Sequence, residues 1–254
     1  EPLWEGGHHG YVMSEYPHNA LNFLRFGYRE TKLGLVMNYG DQKPAGGFSY
    51  RVDHPMVTSV LISMAYRAFG VSPWSARLFP VLFALGTSLC TWVLGRQILP
   101  GRWASLVALL FCALSPLILY YGRLPAPHHL SAFFAFVFFY LYWRWFVTKD
   151  HRYFFASLLI LTIGAFTDWL IRFVVPAVIG HYLIFRKDTR SWLLILGLAL
   201  APFLLFALYI LWVLILSGSG ALHGLWSVFL NRTTSAHGLG FSLSLTDVWR
   251  VVSD

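Results

Sequence analysis

Charged side chains are scarce in this sequence. Only 12% of its 254 residues are Asp, Glu, Lys or Arg, whereas 57% are hydrophobic. A soluble domain carries about 25% charged residues. So few charged side chains cannot cover a folded chain on all sides, which argues against a soluble globular protein. Lipid is therefore the expected solvent for much of the surface.

Cysteine is rarer still. Cys90 and Cys112 both lie within apolar runs, which argues against a disulfide framework or a zinc site. The net charge is +8, but the basic residues lie at the ends of apolar runs and not along one face. Nucleic acid is therefore not an expected partner. An initiating Met and a signal-peptide pattern are also absent, and we expect sequence to be missing at both ends.

What the sequence has instead is long apolar runs, and these predict an all-α, polytopic transmembrane helical bundle. A span needs about 20 residues to cross the hydrocarbon core. Five runs have about this length, and a sixth, at 153–168, is shorter, so we expect about six crossings. The five longer runs are residues 78–97, 103–121, 129–147, 170–185 and 191–217.

Two shorter helices are predicted before the bundle. Residues 14–26 have the pattern of an amphipathic helix, and residues 55–69 begin at Pro55 and end before Gly70. The second helix carries Arg67 and is too short to cross. We therefore expect both to be juxtamembrane helices that lie in the interface.

The basic residues predict the orientation. Eight Lys and Arg residues lie in one set of short connections and two, Arg123 and Arg172, in the other. The positive-inside rule places the richer set in the cytoplasm. We therefore expect an extracytoplasmic loop at 1–77, the bundle at 78–217 and the start of a further extracytoplasmic loop at 218–254. The richer set is Arg96, Arg102, Arg144, Lys149, Arg152, Arg186, Lys187 and Arg190.

The extracytoplasmic face collects the unusual ionisable residues, which are functional candidates at a membrane boundary. Asp168 either caps the following helix at the water surface or lines a cavity at the membrane level. His128 and His129 either form a polar helix start or provide a ligand or acid–base pair. With Asp53 and His54 they could hold a divalent metal, although no spacing such as His-Glu-x-x-His is present.

Four arginines on this face suit a phosphate, because a planar guanidinium binds phosphate in a bidentate way. The alternative is that each extends to lipid head groups. These arginines are Arg77, Arg123, Arg172 and Arg232.

Several segments, taken in order, resemble the GT-C-type membrane glycosyltransferases that use polyprenyl-phosphate sugars. These are the family-39-like relatives of protein O-mannosyltransferases and of the lipid A aminoarabinose transferase. The resemblance covers nearly the whole chain and corresponds to the N-terminal half of the family. The matching segments include Trp4-Glu5-Gly6-Gly7-His8-His9, Ala20-Leu21-Asn22-Phe23-Leu24, Asp53-His54-Pro55, Phe69-Gly70-Val71-Ser72, Tyr120-Tyr121-Gly122-Arg123 and Thr167-Asp168-Trp169.

The resemblance implies an inverting sugar transfer from a polyprenyl-phosphate donor to a hydroxyl of a lipid, glycan or protein acceptor. It implies a multi-pass protein of the cell membrane, here expected to be a bacterial inner membrane, with an extracytoplasmic active face. It implies catalytic roles for Glu5, His9 and His8 and substrate contacts for Asp53, Asp168 and His129. A divalent ion would have His54, His128 and Asp53 as ligands.

The sequence also departs from the family pattern. The usual Asp-Glu pair of the first loop is absent, His128 stands at an often acidic position, and Asp168 stands where relatives often have Lys. Two other functions therefore stay open: a transporter or flippase of a lipid-linked sugar, and a non-catalytic homologue that binds such a lipid. A transporter would be expected to show inverted repeats, and the sequence has no internal repeat.

Overall fold

The computed structural model describes residues 7–38, 40–185 and 192–233. The chain is predominantly helical, as expected. In chain order the elements are α1 (Gly7–Phe26), β1 (Leu35–Val36), β2 (Tyr50–Arg51), α2 (Val57–Phe69), α3 (Pro73–Ile98), α4 (Arg102–Ala113), α5 (Pro116–Tyr121), α6 (Pro127–Thr148), α7 (His151–Ala165), a 3₁₀ turn (Leu170–Phe173), α8 (Val174–Phe185), α9 (Trp192–Ser217) and α10 (Gly220–Thr233).

The two helices before the bundle pack on each other and on the start of α3. α1 begins at Gly7, earlier than the predicted residue 14, and α2 has 13 residues. A small apolar cluster joins the three helices, with Tyr16 of α1 and Ile62 of α2 at its centre. A two-stranded antiparallel sheet between them pairs Leu35 with Arg51. Two-residue strands have no detectable periodicity, which is why the sequence did not predict them.

Three of the described helices are long and apolar enough to cross a membrane: α3, α6 and α9. The other apolar runs form shorter helices, α4, α7 and the segment Leu170–Phe185. The prediction of one continuous helix over 103–121 was wrong. α4 ends at Ala113 and α5 begins at Pro116, because proline disfavours a helical residue before it and cannot donate a backbone hydrogen bond.

The core of the bundle is aromatic and aliphatic. Trp145 and Phe138 of α6 are fully buried against Leu161 of α7 and Leu198 of α9. The outer surface of the bundle exposes large apolar side chains such as Phe111, which is 76% exposed. An exterior with many exposed large apolar side chains is unfavourable in water and suits contact with lipid. The antiparallel pair α6 and α7 brings the start of α6 and the end of α7 to the same end of the bundle, where the 3₁₀ turn follows.

Candidate active site

A buried ionic cluster lies where the loop before α2 meets α1. We call it the Arg51 cluster, and it consists of Glu15, Arg51, Asp53 and His54. The Arg51 guanidinium forms an ion pair with Glu15 and a bidentate pair with Asp53, at 2.5 Å from Nε to Oδ1 and 3.1 Å from Nη2 to Oδ2. His54 Nε2 lies 3.5 Å from Asp53 Oδ2. The Arg51 guanidinium therefore compensates the carboxylates of both Glu15 and Asp53, which are mostly removed from water.

The environment of Asp53 favours its ionised form. Burial raises the pKa of Asp53, but the hydrogen bonds from Arg51 and the nearby His54 outweigh burial. The pKa consequently lies below its ordinary value of 3.8. Asp53 is therefore a carboxylate at neutral pH and cannot act as a proton donor there.

The bundle holds this loop in place through backbone contacts. Trp169 Nε1 donates to the Asp53 carbonyl oxygen at 3.0 Å, and the Tyr209 hydroxyl of α9 donates to the Val52 carbonyl oxygen at 2.6 Å. The Val57 amide at the start of α2 donates to Phe166 O at 3.2 Å. The loop before α2 and the end of α7 thus form one polar region.

A second pair lies in this region. His128 is in the first turn of α6, and its Nδ1 lies 3.3 Å from Oδ2 of Asp168, which follows α7. Asp168 is 8% exposed, and its Oδ1 accepts a 2.6 Å hydrogen bond from the Trp169 amide. Trp169 itself precedes the 3₁₀ turn and makes no side-chain cap. Asp168 is therefore a buried partner of His128, and the residue at the N-cap position of the following 3₁₀ turn is Trp169.

The environment of the His129 side chain differs from that of His128. It is 4% exposed, and neither ring nitrogen has a hydrogen-bond partner among the described residues. Its position in the first turn of α6 follows from Pro127, whose fixed φ suits the first helical residue. His128 and His129 consequently do not act as one pair.

Of the four arginines, Arg172 is part of this region. Its guanidinium lies 4.4 Å from the centre of the Trp169 ring, and Nη2 donates to Ala165 O at 3.3 Å. Its Nε is buried without a hydrogen-bond partner among the described residues. Arg77 is half-buried in α3, and Arg123 is exposed beside Tyr120. The side chain of Arg232 lies outside the described residues.

The predicted catalytic residues of the first loop are Glu5, His8 and His9. Glu5 lies outside the described residues, and only the backbone of His8 and His9 is described, within α1. The predicted metal ligands separate into two groups, because Asp53 pairs with His54 whereas His128 pairs with Asp168. Among the described residues no three His, Cys, Asp or Glu side chains lie close enough to hold a metal ion. The described residues therefore do not fit the expected ion.

Sequence reasoning missed four residues of this region: Glu15, Arg51, Trp169 and Tyr209. Glu15 had a usable signal, because it is the single acidic residue of α1. Arg51 also had one, since it lies two residues before Asp53. Nothing in the sequence distinguishes Trp169 and Tyr209, because aromatic residues make up 18% of the whole chain.

The described apolar helices are those of a multi-pass membrane protein, and the family match assigns it to the GT-C type. The chain belongs to the dolichyl-phosphate-mannose-protein mannosyltransferase family, whose sequence model matches residues 53–216. That match begins at Asp53 and ends within α9, so it includes the His128–Asp168 pair and the bundle.

A protein of Aquifex aeolicus (strain VF5), described as an uncharacterized protein, is 28% identical over 137 residues. The match covers 54% of this chain and 28% of that relative, so the chain corresponds to well under two thirds of the relative's length. No solved structure matches the chain.

Proposed function

We propose that this protein is a membrane glycosyltransferase that moves a sugar from a polyprenyl-phosphate donor to an acceptor hydroxyl. The observation that carries the proposal is the family match over residues 53–216, within which the buried ionisable residues gather at one end of an apolar bundle. A lipid-linked donor can reach such a site from the bilayer while its head group stays at the polar end. The acceptor is a hydroxyl of a lipid, a glycan or a protein.

Arg172 is the best-supported phosphate ligand. The Trp169 ring holds its guanidinium in place, and among the described residues its buried Nε has no hydrogen-bond partner. A guanidinium can bind phosphate oxygens, and Arg does so with more directional geometry than Lys. Arg77, Arg123 and Arg232 are proposed to assist along the path of the donor.

The proposed reaction is a single displacement with inversion. A base takes the proton from the acceptor hydroxyl, whose oxygen attacks the anomeric carbon while the lipid phosphate leaves with the bonding electrons. The first-loop residues Glu5, His9 and His8 are the base candidates from the resemblance. Asp53, Asp168 and His129 are proposed to line the substrate cavity.

The active face is proposed to be extracytoplasmic. Support comes from the basic residues: Arg144, Lys149 and Arg152 lie at the opposite end of α6 and α7 from the His128–Asp168 pair. By the positive-inside rule that opposite end is cytoplasmic.

The test is transfer by the purified full-length protein in proteoliposomes that contain a polyprenyl-phosphate sugar carrying a radiolabel. We expect labelled acceptor product with an inverted anomeric centre. Arg172→Lys should raise the KM for the donor, whereas Arg152→Lys, at the other end of the bundle, should not. Absence of transfer with every polyprenyl-phosphate sugar supplied, or retention at the anomeric centre, would overturn the proposal.

A further inference from the structure

The His128–Asp168 pair has one engaged and one available ring nitrogen. Asp168 contacts His128 Nδ1 at 3.3 Å. The His128 side chain is 59% exposed, and Nε2 has no hydrogen bond to the described residues. An imidazole held at one nitrogen by a carboxylate presents the other nitrogen in a defined tautomer and direction.

The carboxylate is held more firmly than the imidazole. Asp168 Oδ1 accepts from the Trp169 amide, and the Trp169 indole is fixed by the Asp53 carbonyl on its nitrogen and by Arg172 over its ring. Asp168 is therefore a buried carboxylate in a fixed position, and its charge would stabilise an imidazolium that formed at His128. Catalytic bases are commonly oriented by a neighbouring group in this way.

We propose that His128 is the base that accepts the proton of the acceptor hydroxyl, and that Asp168 is its positioning residue. This inference rests on the function proposed above and competes with Glu5 and His9 for the role of base. The acceptor O–H proton moves to Nε2 of His128 as the acceptor oxygen forms a bond to the anomeric carbon. The bond from that carbon to the phosphate oxygen breaks, and the phosphate keeps the electron pair. The imidazolium then releases the proton to water.

The other described imidazoles of this region are less suited. His54 lies against Asp53, whose carboxylate is shared with Arg51. Both ring nitrogens of His129 are buried, whereas the His128 side chain is 59% exposed. His128 combines a ring held at one nitrogen with a side chain that is 59% exposed.

The test is chemical rescue in the full-length protein. His128→Ala should lower kcat by a factor on the order of 10² to 10⁴, the usual contribution of a general base, with little change in the KM for the donor. Added imidazole should restore turnover in proportion to its concentration, because the His128 side chain is 59% exposed. His151→Ala is the matched control: this exposed histidine also lies beside an aspartate, Asp150, but at the other end of the bundle. It should keep wild-type kcat and show no response to imidazole.

Asp168→Asn removes the carboxylate charge but keeps a hydrogen bond that supports the fold, because the side-chain amide oxygen can still accept from the Trp169 amide. We expect a loss of kcat that imidazole does not restore, and a thermal unfolding transition close to wild type. A loss of kcat in His128→Ala without rescue, matched by a lower unfolding temperature, would assign the pair a structural role and overturn the inference.

The two proposals fail in different ways. If the wild type transfers no sugar, the proposed function fails. If the wild type and His128→Ala transfer equally while Glu5→Gln or His9→Ala loses kcat, only the assignment of the base fails, and the function stands.

Discussion

The indole nitrogen of Trp169 donates a 3.0 Å hydrogen bond to the backbone oxygen of Asp53, 116 residues earlier in the chain. Asp53 belongs to the Arg51 cluster, and Trp169 follows Asp168 and lies under the Arg172 guanidinium. This one bond therefore joins the Arg51 cluster to the His128–Asp168 pair. It also fixes the loop before α2 to the bundle.

Removing the donor of this bond should loosen the loop. Trp169→Phe keeps a ring but leaves the Asp53 carbonyl without the indole partner, and a lost buried hydrogen bond costs about 1–3 kcal/mol. We expect a lower unfolding temperature in detergent and faster amide exchange over residues 51–57. Trp103→Phe is the control, because Trp103 is 69% exposed. Equal stability of the two variants would show that the bond does not hold the loop.

Arg51 should be the most sensitive residue of the loop. Arg51→Met leaves the carboxylates of Glu15 and Asp53 mostly buried without their cation, and breaking a buried pair in this way costs about 3–5 kcal/mol. The measurement is denaturant or thermal unfolding in detergent. Adding Glu15→Gln and Asp53→Asn should recover part of the loss, because the uncompensated charges disappear.

A matched surface pair provides the control. Lys43 pairs with Glu30, and both side chains are about half exposed. Lys43→Met should leave unfolding unchanged, since exposed ion pairs contribute little. If Lys43→Met and Arg51→Met destabilised the protein equally, burial of the Arg51 cluster would not be the cause.

Low pH should destabilise the loop before α2 through protonation of Asp53. The folded-state pKa of Asp53 lies below its ordinary value of 3.8, so its ionised form contributes stability that is fully present above that value. This contribution is lost as pH falls through the folded-state pKa. We expect the unfolding temperature to decline less steeply in Asp53→Asn than in wild type below about pH 4. Parallel declines would contradict the lowered pKa.

Close packing between α7 and the 3₁₀ turn should not tolerate an added methyl group. A Cβ at Gly164 would collide with the Ile171 side chain and lie 3.0 Å from Phe134 Cβ. Gly164→Ala should therefore destabilise the protein by about 1–3 kcal/mol. Gly197→Ala in α9 meets nothing within 4 Å and should cause no loss. Thermal unfolding of both variants in detergent compares them, and an equally stable Gly164→Ala would show that this contact can relax.

The proposed orientation can be tested by labelling. Single cysteines at Arg123 and Arg152, both exposed, lie near opposite ends of α6; Cys90 and Cys112 would be replaced by Ala. A membrane-impermeant maleimide should label position 123 while the membrane that holds the protein is intact, and position 152 only after that membrane is permeabilised. Labelling in the reverse order would place the His128–Asp168 pair in the cytoplasm.

Much of the bundle follows from local sequence. The runs at 78–97, 129–147 and 191–217 correspond to α3, α6 and α9, because a long apolar stretch indicates a helix regardless of its partners. The helix at 55–69 follows in the same way, with its start near Pro55 and its end before Gly70. The break between α4 and α5 is also local, since Ser115-Pro116 disfavours a continuous helix.

The candidate site was predictable only in part. Asp53, His54, His128 and Asp168 stand out as ionisable residues at the ends of apolar runs. The sequence did not predict which of them pair. His128 was expected with Asp53 and His54, and it is found with Asp168. Which two side chains meet depends on how α6, α7 and the loop before α2 pack, and residue type and spacing carry little information about that packing.

By itself the sequence determined that this protein is a helical membrane protein with its ionisable residues near the ends of the helices. Composition and run length suffice for that, because every backbone polar group in lipid must be paired within its own helix. Only the tertiary structure decided that Arg51 compensates Glu15 and Asp53, and that Asp168 holds His128. The physical reason is that a buried charge is stable only beside a partner, and the fold brings those partners from distant parts of the chain.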